Sequence, residues 1–251
     1  YRRQRQMCIR DRRRRIAIPD RIRLRGTAGA DKGAFSAAST LSADGGEIAL
    51  QGRLDTRSEA YGIELRCDSF PLNRFLPADS LGLIDLALQA GGSGFDPLRA
   101  QTRGNIRLQV DRAEFRGRDF GGVELNANLE GGQLSGRLSD RDEALRLLLL
   151  VSGTLTERKQ EVRLTGNVFD FDLAELGISP QKIGGSFALE AGASASDAGS
   201  YTARIALDSI EVRTRHRTDR IRPTSLSLSS DTTATRAKLA SGDLSLAFVS
   251  P

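Results

Sequence analysis

Apolar and polar residues alternate along most of this chain with a period of two. Apolar side chains hold the even positions in Ile48, Leu50 and Leu54, in Ile84, Leu86 and Leu88, and in Ile106, Leu108 and Val110. They hold the odd positions in Ile63 and Leu65, in Val123, Leu125, Ala127 and Leu129, in Leu147, Leu149 and Val151, and in Ile205 and Leu207. Leu155, Val162 and Leu164, Phe187 and Leu189, Leu226 and Leu228, and Leu244, Leu246 and Phe248 continue the pattern. Between them stand polar residues such as Arg53, Glu64, Arg66, Arg107, Gln109, Glu124, Asn126 and Asn128. Successive side chains on a strand point to opposite faces, so each segment predicts a strand with one apolar and one wet side. Asp44-Gly45-Gly46 and Glu130-Gly131-Gly132 separate strands as hairpin turns do, which predicts a long antiparallel meander. No run of ten residues has helical periodicity.

The pattern also repeats. Gly52, Leu54, Ile63, Phe70, Leu72, Phe75, Leu86, Leu88, Ala90 and Gly91 return 101 residues later. Their counterparts are Gly153, Leu155, Leu164, Phe171, Leu173, Leu176, Phe187, Leu189, Ala191 and Gly192. Leu125 and Leu138 likewise meet Leu226 and Leu239. A supersecondary unit repeated at this period predicts a stacked, extended array whose function lies along a surface. The expected division is a basic tail over 1–15, weak N-terminal strands over 16–47, and β repeats over 48–148 and 149–251. The two repeats form a continuous sheet truncated at both ends. Segments near 70–77 and 171–177 break the rhythm and predict one or two helical turns, whose apolar residues plug an end of the sheet. Residues 192–200, Gly-Ala-Ser-Ala-Ser-Asp-Ala-Gly-Ser, read as a loop.

Composition narrows this further. Hydrophobic residues make up 39% of the chain, aromatics only 5%, and there is no Trp, which suits a thin sheet better than a thick core. The fold class expected is all-β, a twisted antiparallel meander curled into an open hydrophobic groove. A closed sandwich core is the competing arrangement. The longest apolar run, Leu147–Val151, is far short of the ~20 residues of a membrane-spanning helix.

The net charge of +5 at first suggests a polyanionic partner. Most of it lies in Tyr1–Arg12, which resembles translated sequencing-adapter sequence. Without residues 1–12 the charge is +1, and without Arg13, Arg14 and Arg15 it is −2. Nucleic acid is therefore not an expected partner. The remaining cluster of Arg213, Arg215, His216, Arg217, Arg220 and Arg222 has no interleaved aromatics and reads as a solvated strand end.

Catalytic parts are missing. His216 is the sole histidine, and no Gly-x-Ser-x-Gly elbow or phosphate-binding Gly-rich loop with its Lys is present. Beyond Cys8 in the terminal string, Cys67 stands alone, so neither a disulfide nor a thiolate metal cage follows. Asp68, Asp79, Asp85 and Asp96 match no calcium-loop spacing. No enzyme activity, metal or cofactor is expected.

From Pro19 onward the chain resembles the TamB-type translocation and assembly module proteins of the AsmA-like superfamily, in the Bacteroidota style. The carriers are Pro19-Asp-Arg-Ile-Arg-Leu-Arg-Gly26, Ile48-Ala-Leu-Gln-Gly-Arg-Leu54 followed by the Phe70–Pro77 element, and Gly94-Phe-Asp-Pro-Leu98. Asp172-Leu-Ala-Glu-Leu-Gly177 and Ser241-Gly-Asp-Leu-Ser-Leu246 complete them. The resemblance implies an internal fragment of a periplasmic bridge, anchored to the inner membrane through a segment this fragment lacks. It implies carriage of phospholipid or another acyl-chain lipid toward the outer membrane, in support of outer-membrane biogenesis. An outer-membrane assembly β-barrel protein would be a further partner. The residues expected to line the groove are Leu50, Leu54, Ile63, Leu65, Ile84, Leu86, Leu88, Ile106, Leu108, Val110, Val123, Leu125, Leu149, Val151, Leu155, Val162, Leu164, Phe187, Leu189, Ile205, Leu207, Leu226, Leu228, Leu244 and Leu246. Two other roles fit the same alternation: a structural or adhesive β-repeat with a closed core, and a chaperone surface for outer-membrane proteins that works through strand edges.

Overall fold

A computed structural model describes residues 21–76, 81–196, 199–231 and 233–250 of the chain. The basic tail over 1–15 and Pro77 of the first plug segment lie outside the described residues. Seventeen strands form one antiparallel sheet. The first repeat region holds β1 (Ile22–Asp31), β2 (Ala34–Ala43), β3 (Gly46–Asp55), β4 (Ala60–Pro71), β5 (Leu81–Ser93), β6 (Arg103–Phe115), β7 (Arg118–Phe120), β8 (Val123–Glu130) and β9 (Gln133–Arg141). The second holds β10 (Leu145–Leu155), β11 (Lys159–Asp172), β12 (Gly184–Ser196), β13 (Tyr201–Arg213), β14 (Thr218–Ile221), β15 (Thr224–Ser230), β16 (Thr235–Ser241) and β17 (Leu244–Ser250). The one helix, α1 (Leu72–Phe75), is a single turn.

Each strand pairs with its neighbour in the chain, as a meander requires. Two strands are interrupted. β7 and β8 both pair with β6, and β14 and β15 both pair with β13. The remaining ladders run β8–β9–β10–β11–β12–β13 and β15–β16–β17. No described ladder joins β17 to β1, so the sheet stays open instead of closing into a barrel.

Shifting β3–β9 by 101 residues overlays them in order on β10–β16. The irregularities follow the same shift. The register slips between Cys67 and Phe70 on β4, and again between Val168 and Phe171 on β11. A slip between Asp85 and Leu86 on β5 recurs between Ser186 and Ala188 on β12. Bulges add local twist, so repeating them carries the twist and coil of one unit into the next. The boundary expected at 148/149 falls inside β10, where the sheet runs on unbroken.

One local expectation changes. Gly192–Ser196 belong to β12 instead of a loop, because they pair residue by residue with Lys159–Arg163 of β11. Near 171–177 the expected helical turn is a single one, closed by the Leu176 N–H on the Asp172 carbonyl at 2.9 Å. Asp172 Oδ1 accepts the backbone N–H groups of Ala174 and Glu175, and Gly177 closes the turn at φ +69°. The N-terminal strands are full ten-residue elements, although Gly26, Ala28, Ala30 and Ala37 give them little apolar bulk.

The dense packing lies at one end of the strands. Ala43, Cys67 and Phe70 are buried there, with Leu41, Ile48, Ile84, Leu86, Leu72 and Phe75 packed against them. Phe70 and Phe75 stack with ring centroids 5.1 Å apart. In the second repeat Phe171 meets Phe187 edge-on at 6.2 Å, beside buried Val168. At this same end, Arg116 donates to the Gly177 carbonyl at 3.1 Å and Arg118 to the Glu175 carbonyl at 2.8 Å. Arg118 also pairs with the Glu175 carboxylate. Four ladder spacings separate β6 from β11, ~19 Å on a flat sheet. The contact therefore reflects curling of the sheet at this end.

Candidate functional site

Residues directly opposed in an antiparallel ladder share a face. Following the registers strand by strand sorts the side chains into rows that cross the sheet. Row two is Gly26–Ser39–Leu50–Leu65–Leu88–Leu108–Leu125–Leu138–Leu149–Gly166–Leu189–Leu207–Thr224–Ser241–Leu244. Row three, two residues along each strand, is Ala28–Ala37–Gly52–Ile63–Ala90–Ile106–Ala127–Gly136–Val151–Leu164–Ala191–Ile205–Leu226–Leu239–Leu246. No polar residue interrupts it. Row four is Ala30–Phe35–Leu54–Tyr61–Gly92–Gly104–Leu129–Leu134–Gly153–Val162–Ala193–Ala203–Leu228–Ala237–Phe248.

Row one lies on the other side of row two, toward the packed end. It runs Leu24–Leu41–Ile48–Cys67–Leu86–Val110–Val123, then Asp140–Leu147–Val168–Phe187. The 25 residues expected to line a groove all fall on this one apolar face. Ile84 sits just past row one in the packed end, Leu155 just past row four, and the others belong to the four rows. The rows also collect residues the alternation did not single out: Leu24, Phe35, Leu41, Tyr61 and Leu134. Their parity matches their strand neighbours, but isolated apolar residues among small ones give little periodic signal. On the opposite face run Gln51–Glu64–Gln89–Arg107–Asn126–Arg137, a wet row. In β10 that face carries Leu148 and Leu150 instead, the second half of the five-residue apolar run.

The apolar face is uncovered. Among the described residues all strands belong to one sheet, and the only helix is the plug. Among the same residues, only Ala43, Cys67, Phe70, Pro71, Ala144 and Val168 are buried apolar side chains. Leu50, Leu54, Ile63, Ile205, Leu226, Leu228, Leu246 and Phe248 remain 36–66% exposed. Rows two to four span four residues along each strand and fifteen residues across the sheet. That is ~14 Å by ~67 Å, on the order of 1,000 Å². Ordinary monomers expose patches of only a few hundred Å².

The two rims of this strip differ. The row-one rim is sealed by Phe70, Leu72 and Phe75, and in the second repeat by the turns after Phe171. The row-four rim carries the turn after β5, where Arg99 pairs with Asp96 at 3.4 Å. Arg103 with Glu130 and Lys159 with Glu161 pair at nearby strand ends on the opposite, wet face. Phe95 on the turn after β5 lies over Tyr61, ring centroids 6.2 Å apart.

The titratable groups on the apolar face are few. Burial pushes the Cys67 thiol up, helped by the Asp68 and Asp85 charges, so the thiol stays neutral. Burial likewise raises the Asp140 carboxyl, which accepts the Asp142 N–H at 2.9 Å. Among the described residues no three His, Cys, Asp or Glu side chains group as metal ligands, and no helix is long and apolar enough to cross a membrane. No protein-family model, curated protein or solved structure matches the chain.

Proposed function

We propose that this chain is a lipid-carrying segment of a periplasmic, TamB-like bridge, moving phospholipid along its apolar face between the inner and outer membranes. The observation that carries the reading is the run of apolar rows across the sheet, exposed and without a covering layer. Buried methylenes gain ~0.8 kcal/mol each, so a face of this size holds acyl chains without any specific polar contact. Because row three is apolar on every strand, a chain meets the same surface at each step, which favours sliding over trapping. Headgroups stay in water at the row-four rim, where the turn bearing Arg99 and Asp96 offers both signs of charge.

The competing closed-core repeat draws no support from a mere six buried apolar side chains among the described residues. The test is native mass spectrometry of the protein purified from a bacterial periplasm, with lipid extraction. Phospholipid should co-purify. It should be lost when Leu88, Leu108, Leu125 and Leu138 are changed to Asn, with far-UV circular dichroism unchanged. A lipid-free, stably folded protein overturns the proposal and leaves the structural repeat in its place.

A further inference from the structure

The asymmetry of the two rims says how a bound lipid lies, given that the face carries lipid at all. Rows two to four offer ~14 Å of open apolar surface along each strand. Half the ~30 Å hydrocarbon core of a bilayer, the reach of one leaflet's chains, is ~15 Å. One end of that strip is blocked by a rigid aromatic pair, Phe70 buried and stacked on Phe75, with Leu72 beside them. The opposite end opens onto the turn after β5, where the charges of Arg99 and Asp96 are balanced as a pair. Paired charges of both signs complement a zwitterionic headgroup, whereas an aromatic wall complements only a methyl terminus.

We propose that the acyl chain lies parallel to the strands, crosswise to the long axis of the sheet. Its methyl end abuts Phe70, Leu72 and Phe75, and its headgroup sits among the charged turns beyond Leu54 and Tyr61. The plug is then a ruler that sets the chain length taken. Leu72 and Phe75 determine this specificity, a role apart from their packing in the core. Lengthwise binding, with chains running from strand to strand, has no such stop.

Two measurements on the full chain test this. The first uses phosphatidylcholine carrying a photoactivatable diazirine at either the terminal carbon or the headgroup, with cross-links mapped by peptide mass spectrometry. Terminal-carbon cross-links should concentrate in segments 41–48 and 67–76, and headgroup cross-links in 55–61 and 93–99. Terminal-carbon cross-links spread equally over both rims overturn the crosswise pose while leaving lipid carriage intact. Absence of cross-links from either probe sinks lipid carriage as well.

The second measurement is affinity for lysophosphatidylcholines of 6 to 18 carbons, below their micelle concentrations. Each added methylene should raise affinity about fourfold until the chain reaches the plug, after which the gain stops. Phe75→Ala should move that break to longer chains and Leu72→Trp to shorter ones. A monotonic rise over the whole series, unchanged in both variants, overturns the ruler. Amide exchange over β4 in each variant separates a moved wall from an unfolded plug.

Discussion

Gly166 occupies row two between Leu149 and Leu189, where the pattern otherwise asks for leucine. A Cβ there would stand 2.0 Å from the Leu148 carbonyl oxygen, a distance no side chain tolerates. Gly52 in row three is different, since its nearest neighbour would be 3.9 Å away. Gly166→Ala should therefore destabilise by ~1–3 kcal/mol through forced backbone movement. Gly52→Ala should be neutral or stabilising by up to ~1 kcal/mol, because alanine restricts the unfolded chain. Urea midpoints of the two variants check this, and equal shifts would sink the argument. Asp140 is the other exception, a carboxylate in row one whose burial raises its pKa. The folded state then binds its proton more readily than the unfolded state, so the ionised group opposes folding at neutral pH. That penalty fades as pH falls to the unfolded value of ~3.9. Asp140→Asn keeps an oxygen for the Asp142 N–H, and its stability advantage should grow as pH rises above ~4 and then level off. An advantage independent of pH would mean that packing, not ionisation, is responsible. Neither exception was legible in the sequence, since each depends on a neighbouring strand that alternation does not identify.

At the scale of elements, period-two alternation located most strands and put the right residues on one face. It failed where side chains are small or segments short. β1 and β2 form complete ladders through Gly26, Ala28, Ala37 and Ser39, whose backbones pair well although their side chains carry almost no pattern. β7 and β14 span only three and four residues, too few for a period to register. The turn at 173–177 carries apolar residues at helical spacing, and Asp172 caps it. The Asp172 carboxylate accepts the Ala174 and Glu175 N–H groups and its carbonyl the Leu176 N–H at 2.9 Å, but Gly177 ends the helix after one turn. What no pattern could supply is the partner of that turn. Arg116 and Arg118 lie about sixty residues earlier, and their carbonyl contacts with Gly177 and Glu175 brace the curled end. Both arginines are exposed, so Arg118→Ala should cost less than ~1 kcal/mol of stability. It should nonetheless speed amide exchange of residues 173–178 severalfold, as the turn loses its anchor. Exchange unchanged there would show that the turn is held from within.

For the molecule as a whole, the row registers mean that each strand pairs only with the strands beside it in the sheet, apart from the braces of Arg116 and Arg118 at the curled end. An assembly of this kind has stability approximately equal to a sum of local strand terms and nearest-neighbour interfaces, without a single shared core. Burial is concentrated in separate packed ends, Ala43–Cys67–Phe70 in one repeat and Val168 with Phe171 and Phe187 in the next. Phe70→Ala removes the largest fully buried side chain and should cost ~3–5 kcal/mol, as a cavity in a packed site does. In a globular domain that loss would raise amide exchange everywhere. Here the ladders from β10 to β13 share no buried side chain with Phe70, so their protection should change little while that of β3–β5 falls. Native-state hydrogen exchange distinguishes the two outcomes, and uniform loss of protection would refute the one-dimensional description. The same independence bears on function. On the proposed reading as a lipid carrier, the open apolar face has no second layer to tie its repeats together, and nearest-neighbour ladders hold the face continuous without one. A local opening in one repeat then leaves the neighbouring rows in register, so the track survives fluctuations that would unfold a closed core.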